Sequence, residues 1–450
     1  MRRHPLPSPL RDWHLWLCGC CLGLPMLGWL LAYGPQYEPD VHYYLTGALH
    51  WHPLHPPGYN LWLSLCHRLW ASAYLPIVLQ QGVWLIAVIT ASRALLGRTG
   101  WAALACLLLG AEPTMAYLHL SLQSDSLFAS CLLLGVAPLL RATETDGKAL
   151  RTAALWLAFA GALRYAAWLC WPVWLLLALR QGARWRGAWQ LSWPLLLAQV
   201  LIWGGHQWQG NGSFPGRAKL LWDNVAPLYQ PGDCGTTAWC QPWDAAARAG
   251  AFAQWPPMAR YVAGEAILRR QVQTLQASGL APDSARNLLL DSLHRCASQL
   301  YASQPLGVHW RLLTDNLQVL AAGHFLDYRH WPPAHLPHMT REYAELDSLV
   351  QQLYGFAGPG PSAYLWQTPI ALNRYMQGVG LLCLCLILGL LWRRSATTLS
   401  LLWLALLPIC LMLVAFPIKT RFLLPLLPLL VLAMCVWLQQ LWPRHGSTAR

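Results

Sequence analysis

Apolar residues run along this chain in long uncharged blocks, with neither the alternation of a half-buried strand nor the narrow stripe of a surface helix. The blocks at 14–33, 69–92, 187–216, 375–392, 395–418 and 422–443 each reach the roughly 18 residues that a helix needs to cross a bilayer. Fitting the remaining apolar segments between charged connections predicts helices near 13–33, 71–92, 99–120, 125–140, 152–163, 165–180, 188–205, 375–392, 396–416 and 422–441. The expected fold class is an all-α polytopic membrane protein with about ten transmembrane helices and both termini in the cytoplasm. Two connections are long, 34–70 and 206–374, and both emerge on the side away from the cytoplasm. The second carries amphipathic segments at 285–301 and 309–321. Structureless loops beyond about 15 residues are uncommon, so a mainly helical external domain is expected between spans seven and eight. The division is then an N-terminal transmembrane module (1–205) with its first outer loop (34–70), the external domain (206–374) and C-terminal transmembrane helices (375–450).

Composition sharpens this picture. Charged residues make up 11% of the chain, against about 25% in a soluble domain. Basic residues outnumber acidic ones 31 to 18, for a net charge of +13. Such an excess suits nucleic acid, but its placement does not. Arg2, Arg3 and Arg11, then Arg93 and Arg98, then Arg141, Lys148 and Arg151, then Arg180, Arg184 and Arg186, then Arg393 and Arg394 fall in alternate short connections, as the positive-inside rule requires. No nucleic-acid motif accompanies them, so the expected partner is membrane lipid. The first apolar block is too long for a signal-peptide core and lacks a small-residue cleavage site, which reads as a retained first helix. The 28 Trp suit membrane–water interfaces.

Ten cysteines, Cys18, Cys20, Cys21, Cys106, Cys131, Cys170, Cys383, Cys385, Cys410 and Cys435, lie in the apolar blocks, where a thiol acts as a small hydrophobe. Cys234 and Cys240 fall in the external domain, on the oxidising side, where disulfides persist. A local bridge between these two is expected, with two free thiols as the alternative. Only 3 of the 31 basic residues are Lys, a bias that favours a GC-rich bacterial source and hence an inner membrane whose outer face is periplasmic. In an endoplasmic reticulum, Asn211-Gly212-Ser213 would instead accept a glycan.

Acidic residues are scarce, which draws attention to Glu38 and Asp40 in the first outer loop, followed by His42, Tyr43, Tyr44, His52 and His55. Asp40 could simply cap a helix starting at Val41. Glu112 and Asp125 bracket the turn between spans three and four; a carboxyl group in hydrocarbon is costly and usually faces a polar cavity, although Asp125 could also cap its helix. Lys419 and Arg421 occupy the outer connection between spans nine and ten. They are either snorkelling cations or a fixed positive pair for an anion, and Arg164-Tyr165 at the outer junction of spans five and six is a weaker version of the same feature.

Taken in order, these features resemble the membrane glycosyltransferases of the GT-C superfamily, especially the dolichyl-phosphate-mannose protein mannosyltransferase and lipid A aminoarabinose transferase branch. They are an acidic residue opening a Tyr-rich juxtamembrane helix, His55-Pro56-Pro57-Gly58-Tyr59, Ser124-Asp125-Ser126-Leu127-Phe128, Arg164-Tyr165, a large outer loop, and Lys419-Thr420-Arg421-Phe422 entering the last helix. The resemblance covers most of 13–205 and the last helix, and leaves 206–374 outside it. It implies a polyprenyl-phosphate sugar donor and a glycan, lipid or protein acceptor. By it, Asp40 is the catalytic base and Glu38 its acidic partner. Lys419, Arg421 and Arg164 would bind the donor phosphate, while Asp125, Glu112, His55, Tyr43 and Tyr44 would line the acceptor side. Some members hold a divalent metal, for which Glu38, Asp40 and His42 are the candidates, and no other cofactor is implied. Two other functions compete: a transporter or flippase of lipid-linked sugars, which would show paired broken helices and inverted repeats, and a catalytically inactive binding subunit of the same fold.

Overall fold

The computed structural model describes residues 13–35, 44, 56–96, 99–141, 147–180, 185–208, 221–253, 257–322, 348, 396–415, 423 and 425–442. Among these the regular structure is helical and no strand forms. The N-terminal module contains α1 (Trp13–Tyr33), α2 (Gly58–Leu69), α3 (Tyr74–Leu95), α4 (Thr99–Ala111), α5 (Pro113–Leu120), α6 (Ser124–Arg141), α7 (Gly147–Leu163), α8 (Ala167–Arg180) and α9 (Trp185–Trp208). Next come α10 (Gln241–Arg248), α11 (Pro257–Ala277), α12 (Pro282–Ser303) and α13 (Pro305–Ala322), and then α14 (Ala396–Ala415) and α15 (Leu427–Leu441). Four of them, α1, α3, α6 and α14, are long and apolar enough to cross a membrane, while α4, α8 and α15 are shorter apolar helices. The expected span at 375–392 lies outside the described residues.

Helix α6 is the axis of the bundle. It packs on α3 and α7, and 78% of its apolar window is buried. Lipid offers no hydrophobic drive for helices to associate, so close approach through small residues takes its place. Gly135 lies flat against the Trp174 ring, where a Cβ would collide with it, and at Gly110 a Cβ would stand 2.8 Å from the Leu22 carbonyl oxygen. Around this axis α9 packs on α7, α1 on α4, and α14 on both α15 and α8.

Two elements differ from the sequence expectation. The span expected at 99–120 is broken into α4 and α5 at Glu112-Pro113. Proline disfavours helical geometry in the residue before it and has no N–H to continue the ladder. Within the 34–70 loop, 58–69 forms a helix, burying Tyr59, Asn60, Leu63 and Cys66. Its first residue, Gly58, sits against the Ala162 carbonyl, a contact with no room for a Cβ.

The helices and turns of 221–322 have their own aromatic core. Trp222 stands edge-on to Tyr229, Trp243 and Phe252 at 5.1, 4.7 and 5.6 Å, and Leu293, Leu300, Val308 and Leu312 close around them. The Tyr229 hydroxyl donates to Asp244 Oδ1 at 2.5 Å and the Gly232 N–H donates at 2.9 Å. Those bonds hold the Asp244 carboxyl below its ordinary range, while burial, reinforced by that carboxylate, pushes the Tyr229 hydroxyl up.

The expected bridge from Cys234 to Cys240 is corrected here: Cys234 is bonded to Cys296 of α12, with Cα atoms 5.2 Å apart. The reason is local. The turn through Gly235 (φ 87°) brings the Cys240 N–H onto the Thr237 carbonyl at 2.9 Å. The Cys240 thiol then meets the Thr237 hydroxyl at 3.0 Å and the Cys234 carbonyl oxygen at 3.1 Å, so it faces the backbone of Cys234 while the Cys234 sulfur turns to α12. Closing 62 residues restricts the unfolded chain by about 4 kcal/mol in the chain-entropy model.

Helix α13 joins the two cores. Val308 and Leu312 lie in the external core, and Leu313 packs against the membrane bundle. Asn316 Nδ2 donates to the Leu413 carbonyl at 2.7 Å and His309 Nδ1 to the Val414 carbonyl at 2.7 Å. These carbonyls belong to the last turn of α14, where the helix itself supplies no donor. The second His309 nitrogen accepts from the Tyr301 hydroxyl at 2.8 Å.

Two measurements check this account. Mass spectrometry of the non-reduced protein is expected to yield a linked peptide containing Cys234 and Cys296, with Cys240 alkylated after unfolding; a 234–240 bridge would refute the pairing. Gly58→Ala is expected to destabilise the detergent-solubilised protein by about 1–3 kcal/mol, as overpacking does. Gly82→Ala, where nothing lies within 4 Å, is expected to leave the unfolding temperature unchanged.

Candidate functional site

At one end of the bundle the start of α2, the middle of α3, the turn between α5 and α6 and the junction of α7 with α8 meet in a buried polar cluster. Gln80 of α3 is fully buried. Its Nε2 donates to the carbonyl oxygens of His119 (2.8 Å) and Ser121 (2.9 Å), and its Oε1 accepts from the Tyr59 hydroxyl at 3.2 Å. Tyr44 of the first loop shares a hydrogen bond of 3.1 Å with the Ser124 hydroxyl at the start of α6. Its ring stands edge-on to Tyr59 at 5.0 Å, and its carbonyl accepts from Asn60 Nδ2 at 3.2 Å. His119 Nδ1 bonds the Ser126 hydroxyl at 2.6 Å, and the imidazole lies on the Trp84 ring at 4.3 Å.

Asp125, 2% exposed, forms an ion pair with Arg164 at the junction of α7 and α8. It also stands in the first turn of α6, where the helix dipole favours a negative charge. Asp125 thus ties α6 to the α7–α8 corner, and the positive charge that the sequence offered to a phosphate at Arg164 is met by a carboxylate. Glu112 is buried at the break between α4 and α5, where its Oε2 accepts from the Met115 N–H at 2.6 Å. That is a helix cap, and it satisfies one of the donors that Pro113 would otherwise leave bare.

Glu38, Asp40, His42, Tyr43, His55, Lys419 and Arg421 lie outside the described residues. Among the described residues no group of three His, Cys, Asp or Glu side chains could hold a metal ion, and the metal candidates Glu38, Asp40 and His42 are among those outside them.

Sequence reasoning missed Gln80, His119 and Asn60, and quoted Ser126 only as part of the motif that opens α6. The signal was present: Gln80 and Gln81 interrupt an otherwise apolar span, and polar groups in hydrocarbon are costly enough to need partners. As a whole the cluster presents hydroxyl, amide and imidazole groups that hydrogen-bond, with its ionic charge compensated within the Asp125–Arg164 pair.

No protein-family model matches the chain, nor does any curated protein or solved structure.

The ion pair generates a prediction with a direction. Removing one partner of a buried pair costs about 3–5 kcal/mol, and the side-chain exposures are 2% for Asp125 and 17% for Arg164. Arg164→Met strands the more deeply buried charge and is expected to fall in that range. Asp125→Asn, which leaves the partly solvated guanidinium, is expected to cost less. The double variant is expected to recover most of the loss in thermal unfolding, whereas additive losses would show that the two charges do not interact.

Proposed function

We propose that the protein is an integral membrane glycosyltransferase, moving a sugar from a polyprenyl-phosphate donor to a hydroxyl of a glycan, lipid or protein acceptor. In this reading the chain crosses a bacterial inner membrane about ten times and acts on the periplasmic face. The observation that supports it most is the Tyr44–Ser124 hydrogen bond. Through it the first loop reaches the start of α6, beside Asp125 and Arg164, so three features of the resemblance share one cluster. Asp40 comes four positions before Tyr44 in the sequence, at most about 14 Å of extended chain, which supports this reading.

The chemistry follows from the donor. The acceptor oxygen attacks the anomeric carbon, the bond from that carbon to the phosphate oxygen breaks, and Asp40 takes the acceptor's proton. Glu38 stands two residues away as the second carboxylate. The departing polyprenyl phosphate carries the electron pair of the broken bond, and Lys419 and Arg421 stabilise the charge that develops there. The bonds of Gln80 and Tyr59 hold the turn before α6 in place, and in this reading that fixes where the first loop meets the start of α6. The break between α4 and α5 also suits the transporter reading, in which broken helices offer their ends to substrate. Here Glu112 caps the start of α5 from within the chain, which favours the enzyme.

Asp40→Asn preserves the side chain's shape and any cap it forms, since Asn caps about as well as Asp, but it removes the base. Transfer of radiolabelled sugar from a polyprenyl-phosphate sugar is expected to fall by at least about 10², the lower end of general-base effects, with donor binding retained. Near-normal transfer would overturn the assignment of Asp40, and absence of transfer by the unaltered protein across donors would overturn the enzyme reading.

A further inference from the structure

Helix α13 carries an apolar face that the external core does not use. Leu306, Trp310, Leu313 and Leu317 recur at the spacing that places them on one side of a helix. Three of them are exposed, Leu306 by 83%, Trp310 by 69% and Leu317 by 48%. The fourth, Leu313, is partly buried against the membrane bundle. Val308, Leu312 and Asp315 are buried elsewhere around the same helix, so the exposed face is distinct from the one that holds the domain together.

The position of this face determines what can cover it. Asn316 and His309 bond the carbonyls of Leu413 and Val414, which end a helix long and apolar enough to span a bilayer. The last turn of a span lies at the edge of the hydrocarbon. A helix hydrogen-bonded to that turn stands at the depth where amphipathic helices lie along a membrane, apolar face inward and Trp at the headgroup level. Protein is a poorer occupant. Three side chains of this size, part of each already covered, present less than roughly 600 Å², below the roughly 800 Å² that each partner typically contributes to a specific protein interface.

We propose that the face of α13 formed by Leu306, Trp310 and Leu317 lies in the bilayer leaflet at the end of α14, so that the external domain is seated on lipid as well as on the helix end. The proposal is independent of the glycosyltransferase reading, since it concerns only where α13 sits.

Photo-crosslinking tests it. Benzoylphenylalanine is placed singly at Leu306, at Trp310, or at Arg295, an exposed polar position on α12. Each full-length variant is reconstituted in vesicles of phosphatidylethanolamine and phosphatidylglycerol, irradiated and analysed by mass spectrometry. Phospholipid adducts at 306 and 310, and none at 295, are the expected result. Adducts to a second copy of the chain, intramolecular adducts to 323–395, or only water-quenched probe at 306 and 310 would each overturn it. All three probes replace exposed side chains, and comparison of unfolding temperatures with the unaltered protein identifies any variant that has lost its fold.

Discussion

A polar backbone inside an apolar bundle must find its partners within the protein, and that constraint sets the architecture around Gln80. Between α5 and α6 the chain turns through 121–123, where the Ser121 carbonyl takes the Gln123 N–H at 2.8 Å and still has a lone pair to offer, and the His119 carbonyl lies in the last turn of α5, which continues no ladder beyond it. One side chain of α3 bonds both. For the His119 carbonyl, at the end of α5, leaving the group unmet would cost about 1–3 kcal/mol. Gln80 therefore holds the turn against α3, and the turn in turn fixes where α6 begins. Ser124, Asp125 and Ser126 are delivered to one end of the bundle as a consequence. Tyr59 is drawn to the same place because the Gln80 carbonyl oxygen still needs a donor.

The same accounting at a second location joins the helices of 257–322 to the apolar bundle. Helix α14 ends with carbonyls that its own backbone cannot satisfy, and α13 supplies Asn316 and His309. The helix that does this is held in turn by a buried pair, Arg260 Nη1 to Asp315 Oδ2 at 2.7 Å, with Arg311 approaching the other carboxylate oxygen at 3.4 Å. Such a pair adds little net stability, because desolvation offsets attraction. Its geometric effect is larger: Asp315 precedes Asn316, so anchoring one orients the other toward α14.

How far the sequence is legible depends on which physical property a residue type reports. Long uncharged blocks report an apolar environment directly, and α1, α3 and α14 are visible for that reason, whereas α6 is visible only as the apolar stretch between Asp125 and Arg141. Proline reports much less. Pro25, Pro138, Pro172, Pro194 and Pro408 all lie inside helices, whereas Pro113 ends one. The difference is its neighbour: Glu112 can cap the new helix, and none of the five interior prolines follows a carboxylate. Helix α2 was hidden in a loop because its apolar residues are too few for a span, and Gly58 becomes interpretable only when Ala162 is seen against it. Cysteine spacing failed for a related reason. Nearness along the chain reports loop closure, while pairing depends on where each sulfur points, and the turn at Gly235 turns Cys240 away from its neighbour's sulfur.

Charge is the least legible property, because a sequence shows a carboxylate without showing what neutralises it. Asp125 and Glu112 look alike on the page, two rare acids bracketing one turn. In three dimensions one is paired with Arg164 and the other bonds a helix N–H, so both carry out structural tasks. A catalytic base needs a carboxylate whose lone pair is open to the acceptor. With the acids at the starts of α5 and α6 engaged in this way, the proposed transferase reading takes its base from the first loop, where Glu38 and Asp40 come only a few residues before Tyr44 in the sequence.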